Sequence, residues 1–341
     1  MRVLMICPEL PRADRPGSMA PTARQIESLR QLGVDIDVVD MRGIPKLKYL
    51  LAMPKIRGLA KRADIVHAHF GFCGWLGYLS TRLLWRHPLM MLSFMGDDLL
   101  GTVYDTSGRT TRFSRIMVSA NRWLAKKMDH VIVKSNEMAS VIQPLACDVI
   151  SNGIDADRFA PRDRNECRRQ LKLSDDAALV LFPGDPDNPN KGYALAKASV
   201  DAVRETVDRR LELIPLWGIE PADVAVYMNA CDVMLMTSWT EGSPNVVKEA
   251  MACNLPVVGV PVGDVPEMLS NLSGYACCSR DPNEIGNCLI ELLSATEVAG
   301  RRAILDRGLD LHSVARRVLA IYERLLAQTD TMTQRCAASE T

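Results

Sequence analysis

Two glutamates, Glu241 and Glu249, stand eight positions apart in the stretch WTEGSPNVVKEAMACNLPVV, on either side of a Gly-Ser-Pro turn. Carboxylates so placed can work as a pair or sit as solvated charges on an ordinary helix, and their neighbours have to decide. CDVMLMTS reads as a buried strand. The chain then turns through Trp239 to Gly242 and enters a helix, with Ser243 as the expected N-cap and Pro244 at the first helical position. The free N–H groups of Asn245 and Val246 would point out of that helix end, which carries about half a positive charge and suits a phosphate. Glu249 lies roughly 7 Å further along the axis. A ribose attached to a diphosphate at the helix end would reach that far and offer its hydroxyls to the carboxylate. Glu241, ahead of the helix, faces the other end of the same ligand, so the pair brackets one extended molecule rather than sharing a proton.

The elements that must position this stretch are legible on both sides of it. RVLMIC, VDIDVVD, DIVHAH, LMMLSF and HVIVKS read as strands, and PTARQIESLRQLG as a helix ending at Gly33. Strand and helix alternate, which implies right-handed crossovers and a parallel sheet with helices on both faces. The rhythm breaks at SNGIDADRFAPRDRNE and restarts with ALVLFPG, LELIPLW, CDVMLMTS and LPVVGV. The expected fold class is therefore α/β, two doubly wound Rossmann-like domains facing a central cleft: residues 1–158, then 159–310. A long amphipathic helix over about 311–328 rejoins the first domain, and a polar, unordered tail is expected over 329–341. The cleft between the domains is the expected site.

Composition sets limits on partners. Basic and acidic residues balance at 41 each, so no whole-protein charge selects nucleic acid, and no nucleic acid partner is expected. Ten cysteines are scattered from Cys7 to Cys336 without a C-x-x-C pair, and they read as reduced, mostly buried thiols of a cytoplasmic protein. The apolar run after Arg2 is too short for a signal peptide, and no segment reaches the roughly 18 to 20 apolar residues of a membrane span.

Taken whole, EGSPNVVKEAMACNLPVVGVPVGDVPEML resembles the signature of the retaining GT-B glycosyltransferases of family 4, which use nucleotide sugars; its E-x7-E pattern matches Glu241 and Glu249. The resemblance implies the GT-B fold and transfer of a sugar from a nucleotide diphosphate donor, UDP- or GDP-linked, to a carbohydrate or lipid-linked acceptor in envelope polysaccharide or glycolipid synthesis. It implies no cofactor and no metal. LFPGDPDNPNKG resembles the family's entry loop that brings a lysine to the donor phosphates, here Lys191, where an ammonium offsets the charge gained by the leaving diphosphate. WGIEPADVAVYMNA matches the loop on which relatives lay the donor base, which implicates Gly218 and Ile219. The turn from Gly242 through Ser243 and Pro244 to Asn245 falls to the phosphates, Glu249 to the ribose and Glu241 to the donor sugar.

In the first domain, RADRPGSMAPTARQIESL carries Gly17 and Ser18 ahead of a helix, and a residue without Cβ there lets backbone approach a ligand. Two further strand ends, DIVHAHFGFCG and LSFMGDDLLG, meet the cleft at the carboxyl edge of the sheet and supply His67, His69, Asp97 and Asp98. His69 and Asp97 are the expected site groups. Two positions depart from the family: Asp185 stands where many relatives have arginine, and Met95 where many have histidine. Basic residues concentrate in PKLKYLLAMPKIRGLAKR (Lys46, Lys48, Lys55, Arg57, Lys61, Arg62) and in GRTTRFSRIMVSANRWLAKK (Arg109, Arg112, Arg115, Arg122, Lys126, Lys127). They are either solvated helix faces or surfaces for anionic lipid headgroups or a phosphorylated acceptor. A GT-B epimerase, and a non-catalytic nucleotide-sugar-binding partner of another transferase, are the rival readings; Met95 and Asp185 keep the second in play.

Overall fold

A computed structural model describes residues 1–339 except Pro16 and residues 44–46, with the backbone alone at 330 and 332–339. Lys46 therefore lies outside the described residues. The first sheet has six parallel strands, β1 (Arg2–Cys7), β2 (Asp35–Asp40), β3 (Ile65–His69), β4 (Leu89–Ser93), β5 (His130–Val133) and β6 (Asp148–Val149), in the order β2-β1-β3-β4-β5-β6. The second has five, β7 (Ala178–Phe182), β8 (Leu211–Pro215), β9 (Val233–Met236), β10 (Val257–Gly259) and β11 (Tyr275–Cys277), in the order β11-β10-β9-β7-β8, again all parallel. β1, β3, β7 and β9 are apolar and buried almost throughout, as strands covered on both faces must be. β6 and β11 are two and three residues long, too short to show a period in the sequence.

In the first domain the helices are α1 (Ala20–Gln31), α2 (Leu47–Ala60), α3 (Gly71–Thr81), α4 (Asp97–Leu100), α5 (Arg112–Ala125) and α6 (Asn136–Ile142). The second holds α7 (Arg164–Leu171), α8 (Tyr193–Val203), α9 (Val224–Ala230), α10 (Asn245–Ala252), α11 (Val265–Leu269), α12 (Pro282–Leu293) and α13 (Gly300–Asp306), and α14 (Leu311–Ser339) ends the chain. One face of the first sheet packs α2, α3, α5 and α6 through Ile56, Leu76, Leu124 and Met138. The other packs α1 and α14 through Ile26, Leu29, Val318 and Tyr322. The fully buried Tyr322 hydroxyl lies 2.6 Å from Nδ1 of His67 in β3, and Nε2 of His67 lies 2.8 Å from the Ser93 hydroxyl in β4. His67 is thus committed to holding the last helix on the sheet.

Two chain segments cross between the domains side by side: Ile154 donates its N–H to Leu309 O, and Leu311 donates to Ile154 O. A Cβ on Gly153 would meet Asp310 O and the Leu311 Cα at 2.9 Å, so only glycine lets these segments touch. The last helix does not stop at 328. It continues through Ser339, because no glycine or proline interrupts the stretch after Gln328 and the helical ladder extends where a polar, unordered tail is expected.

Candidate active site

α10 starts one residue later than the sequence reading places it. Pro244 is its N-cap, with φ −68° and ψ 113°, and Asn245 is its first helical residue. Ser243 does not cap, because its hydroxyl is engaged elsewhere: it donates to Asp264 Oδ2 (2.6 Å) and accepts from Lys248 Nζ (3.0 Å). The N–H groups of Asn245 and Val246 have no hydrogen-bond partner among the described residues, and Oδ1 of Asn245 is buried without one. Unpaired donors are therefore grouped at the start of α10, as an anion site requires.

Glu241 and Lys191, 50 positions apart, form an ion pair with Oε1 2.7 Å from Nζ. Their loops are stitched together behind the pair. Asn190 accepts from the N–H and hydroxyl of Thr240 and donates to Thr240 O, while Trp239 donates its N–H to Asn190 O. The Lys191 chain lies over Gly184, where a Cβ would come within 2.9 Å of Cγ. Asp185 closes its own turn by accepting from the Asp187 N–H (2.9 Å).

Glu249 meets a residue that the sequence reading does not pick out. Arg24, on α1 of the first domain, donates from Nη1 to Glu249 Oε1 at 3.1 Å, and both side chains are largely covered. Arg24 thus reaches Glu249 from the domain opposite Asp185. Arg280, by contrast, is occupied beneath the loop, donating to Thr237 O and Ser238 O with its guanidinium 3.8 Å from the Trp239 ring centre.

The first domain closes on the same loop. A Cβ on Gly242 would fall 2.9 Å from Met95 O and 3.0 Å from Met138 Sδ, and one on Gly263 (φ +56°) would fall 2.6 Å from the carbonyls of Glu241 and Gly242. Glu137 of α6 accepts the Gly263 N–H at 2.8 Å. At Gly242 backbone thus approaches backbone across the cleft, whereas Gly263 packs on the Glu241–Gly242 turn within its own domain. Lys248, fully buried, donates to Asn152 O in the interdomain segment (2.8 Å) and anchors α10 from behind; burial lowers its pKa to about 8.

The two aspartates of β4's outgoing loop have separate jobs. Asp98 is buried and accepts from the N–H groups of Gly71, Met95 and Gly96, so it builds the loop, and Met95 contributes its backbone to that structure. Asp97 opens α4 within electrostatic reach of Glu241 and Lys191. Its pKa rises to about 6, first from partial enclosure in the cleft, then from the Glu241 and Asp98 charges, with Lys191 pulling it back. His69 is wholly buried, its ring centre 4.3 Å from that of His67 with the two rings tilted by 31°. Burial and the nearby Lys134 hold its pKa down at about 3, and neither ring nitrogen has a partner among the described residues.

The remaining expected contacts lie on exposed turns. Gly218 follows β8 with φ +67°, a conformation that calls for glycine, and no atom stands within 4 Å of where its Cβ would be; Ile219 beside it is half-buried. Gly17 is exposed with equally open space, and the Ser18 hydroxyl donates to Glu9 O at 2.7 Å. The structure brings Lys191, Glu241, Gly242 and Asp97 together and places Glu249 against Arg24, while Gly17, Gly218 and Ile219 make no hydrogen bond to that group.

Residues 2–158 match the model of Glycosyltransferase Family 4, and residues 172–295 match that of the Glycosyl transferases group 1. The D-inositol 3-phosphate glycosyltransferase of Geodermatophilus obscurus is 26% identical over 292 residues, 74% of this chain and 63% of that protein, so the chain spans less than two thirds of that relative's length. Sucrose-phosphate synthase from Thermosynechococcus elongatus superposes with a TM-score of 0.68 at 17% identity over 99% of each chain. Anabaena HepE in complex with UDP and glucose superposes with a TM-score of 0.69 at 17% identity, over 95% of this chain and 100% of HepE. At that identity the likeness is one of fold, two Rossmann-like domains in the GT-B arrangement, and with both halves matched by its models the chain belongs to the family 4, or group 1, glycosyltransferases.

Proposed function

We propose that this chain transfers a sugar from a nucleotide diphosphate sugar to an acceptor, with retention at the anomeric carbon. The observation that carries the reading is the meeting of Lys191, Glu241 and the unpaired N–H groups of α10 in one cleft, with Glu249 on the following helical turns. The start of α10 and Lys191 would take the diphosphate, and the phosphate would compete with Glu241 for the ammonium. Glu249 would leave Arg24 and accept from the ribose hydroxyls. Glu241, released from Lys191, would face the donor sugar.

When the glycosidic bond breaks, its electron pair goes to the β-phosphate oxygen, and Lys191 with the helix end stabilises the added charge. Asp97, next to Glu241, would contact a hydroxyl of the sugar or acceptor, and the unpartnered nitrogens of the buried His69 leave room for one more polar contact at the same sheet edge. No side chain is assigned as a covalent nucleophile; the acceptor hydroxyl would attack from the face that the diphosphate leaves and pass its proton to the departing phosphate oxygen. Gly17, Ser18, Gly218 and Ile219 would line the two ends of the donor. UDP is the first nucleotide to test, because HepE, similar in fold, is found in complex with UDP and glucose. The acceptor would be a carbohydrate or a lipid-linked sugar.

The test is nucleoside diphosphate release by the purified chain alone from UDP-, GDP- and ADP-sugars, with the anomer of the product read by NMR. Release from one donor and a product of unchanged anomeric configuration are expected. Absence of turnover alongside retained binding would favour the non-catalytic reading.

A further inference from the structure

Residues 45–62 and 108–127 contain no Asp or Glu, although acids and bases balance over the whole chain. The helices they contribute, α2 (Leu47–Ala60) and α5 (Arg112–Ala125), fall on the same side of the first sheet, with α3 between them. Contacts join the three helices into one face. The Tyr49 and Phe72 rings lie 4.3 Å apart between α2 and α3, Trp75 of α3 stacks on Trp123 of α5 at 5.5 Å, and Arg57 of α2 donates to Leu83 O just past α3.

α5 shows how that face is built. Ser114, Asn121, Leu124 and Ala125 turn inward. Phe113, Ile116 and Trp123 share an outer stripe at helical spacing and are 72%, 66% and 46% exposed. Arg112, Arg115, Arg122 and Lys126 form the stripe beside it. The apolar display continues with Leu50 and Leu51 of α2, each 66% exposed, and with Leu83 and Trp85 after α3, the last fully exposed. Large apolar groups gathered on one surface and rimmed by cations mark an interaction site rather than the scattered exposure of an ordinary surface. Lys55, Arg57, Arg112, Arg115, Arg122 and Lys126 pair with no carboxylate among the described residues, so their charge is left for a partner.

We infer that the α2–α3–α5 face is a docking surface for an anionic lipid bilayer. Leu50, Trp85, Phe113 and Ile116 enter the headgroup region while the cations meet lipid phosphates. Phe72 belongs to this face and also to the wall of a cavity of about 210 Å³ that it shares with Tyr49, Phe70, Cys73, Lys48 and Glu9. Phe70 turns out of β3 with φ +79°, a conformation that a non-glycine residue holds only where its surroundings force it, as at ligand sites. The cavity therefore joins the lipid-facing surface to the carboxyl edge of β1 and β3, where the cleft lies. Resting on the transferase reading, this makes the acceptor an amphipathic, membrane-held molecule whose apolar part enters beside Phe72.

The docking itself is tested without donor or turnover, by co-sedimentation of the full chain with vesicles of phosphatidylcholine alone or with phosphatidylglycerol. Binding to the anionic vesicles is expected, falling steeply with salt. The triple variant Arg112→Gln, Arg115→Gln, Arg122→Gln should lose roughly fivefold in partition per cation removed, and Phe113→Ser with Ile116→Ser should lose at least tenfold. All five side chains are exposed, so thermal unfolding should stay unchanged. Equal binding to neutral and anionic vesicles, or variants that bind as the parent does, would overturn the inference. So would a solution dimer that Phe113→Ser with Ile116→Ser dissolves while vesicle binding is absent, because the face would then join two copies of the chain. A chain that binds vesicles but turns over no sugar nucleotide would retain the docking surface and lose the transferase reading.

Discussion

The Glu241 carboxylate and the Lys191 ammonium lie 2.7 Å apart, each about one-fifth to one-quarter exposed, so the two charges proposed to meet the donor offset each other. A diphosphate entering the cleft replaces one partner of this pair. Lys191→Ala should lower turnover by roughly 10²–10³-fold, the scale found when a preorganised charge-stabilising group is removed. Steady-state nucleotide release checks this, and a variant within twofold of wild type would exclude Lys191 from the phosphates.

Arg24 and Glu249 make the second such pair, across the domains. If Glu249 must leave Arg24 to take the ribose, Arg24→Ala should tighten nucleotide binding by about two- to fivefold, the range of a partly exposed ion pair. Glu249→Ala should weaken it by tenfold or more. Calorimetric titration with UDP distinguishes these directions, and a loss of affinity in Arg24→Ala would make Arg24 a ligand instead of a competitor.

Gly242 is where the domains meet backbone to backbone. Gly242→Ala would place a Cβ 2.9 Å from Met95 O, and the cleft must open to admit it. Turnover should fall on the order of ten- to a hundredfold, because small misplacements of reacting groups carry large rate effects, while the unfolding temperature changes little. Normal turnover in Gly242→Ala would show that this closed contact is not needed.

Asp97 makes a pH-dependent contribution whose sign is fixed. Its pKa is raised from 3.8 to about 6, so the folded protein binds this proton more tightly than the unfolded chain does. The stabilisation is complete below about pH 4 and is lost as pH climbs through 6. Asp97→Asn lacks this loss. Its unfolding temperature relative to wild type should therefore be higher at pH 8 than at pH 4, and an equal offset at both would contradict the raised value.

Lys248 supports the site from behind. Lys248→Met would leave the Asn152 carbonyl and the Ser243 hydroxyl without their buried donor, at a cost of about 1–3 kcal/mol. Denaturant unfolding reads this directly, and an unchanged midpoint would mean that water or another group replaces the ammonium.

Most of the strands were within reach of the sequence because β1, β7 and β9 are largely apolar runs of four to six residues set between amphipathic helices, and β3 departs from that only at its two histidines. Glu241, Gly242 and Glu249 were legible as one short motif. Their pairings were not, although Lys191 itself stood out: Lys191 lies 50 positions from Glu241, and Arg24 lies 225 from Glu249, distances at which no local period carries information. The cap of α10 was misplaced by one residue because a serine ahead of a proline has the pattern of an N-cap, while its real partners, Lys248 and Asp264, are defined only by the fold. His67 and His69 alternate along one strand and look equivalent in sequence. The Tyr322 hydroxyl from the last helix and the Ser93 hydroxyl of β4 separate the structural histidine from the unpartnered one.

The most direct test of the cleft as a nucleotide-sugar site is thermal unfolding against increasing UDP, GDP and ADP, on wild type and on Glu249→Ala. A ligand at 100 times its dissociation constant stabilises by about 2.7 kcal/mol. One of the three diphosphates should raise the wild-type midpoint in proportion to the logarithm of its concentration, and Glu249→Ala should need at least tenfold more nucleotide for the same rise. A wild-type midpoint that no nucleotide moves, or identical titrations for the two proteins, would contradict the assignment.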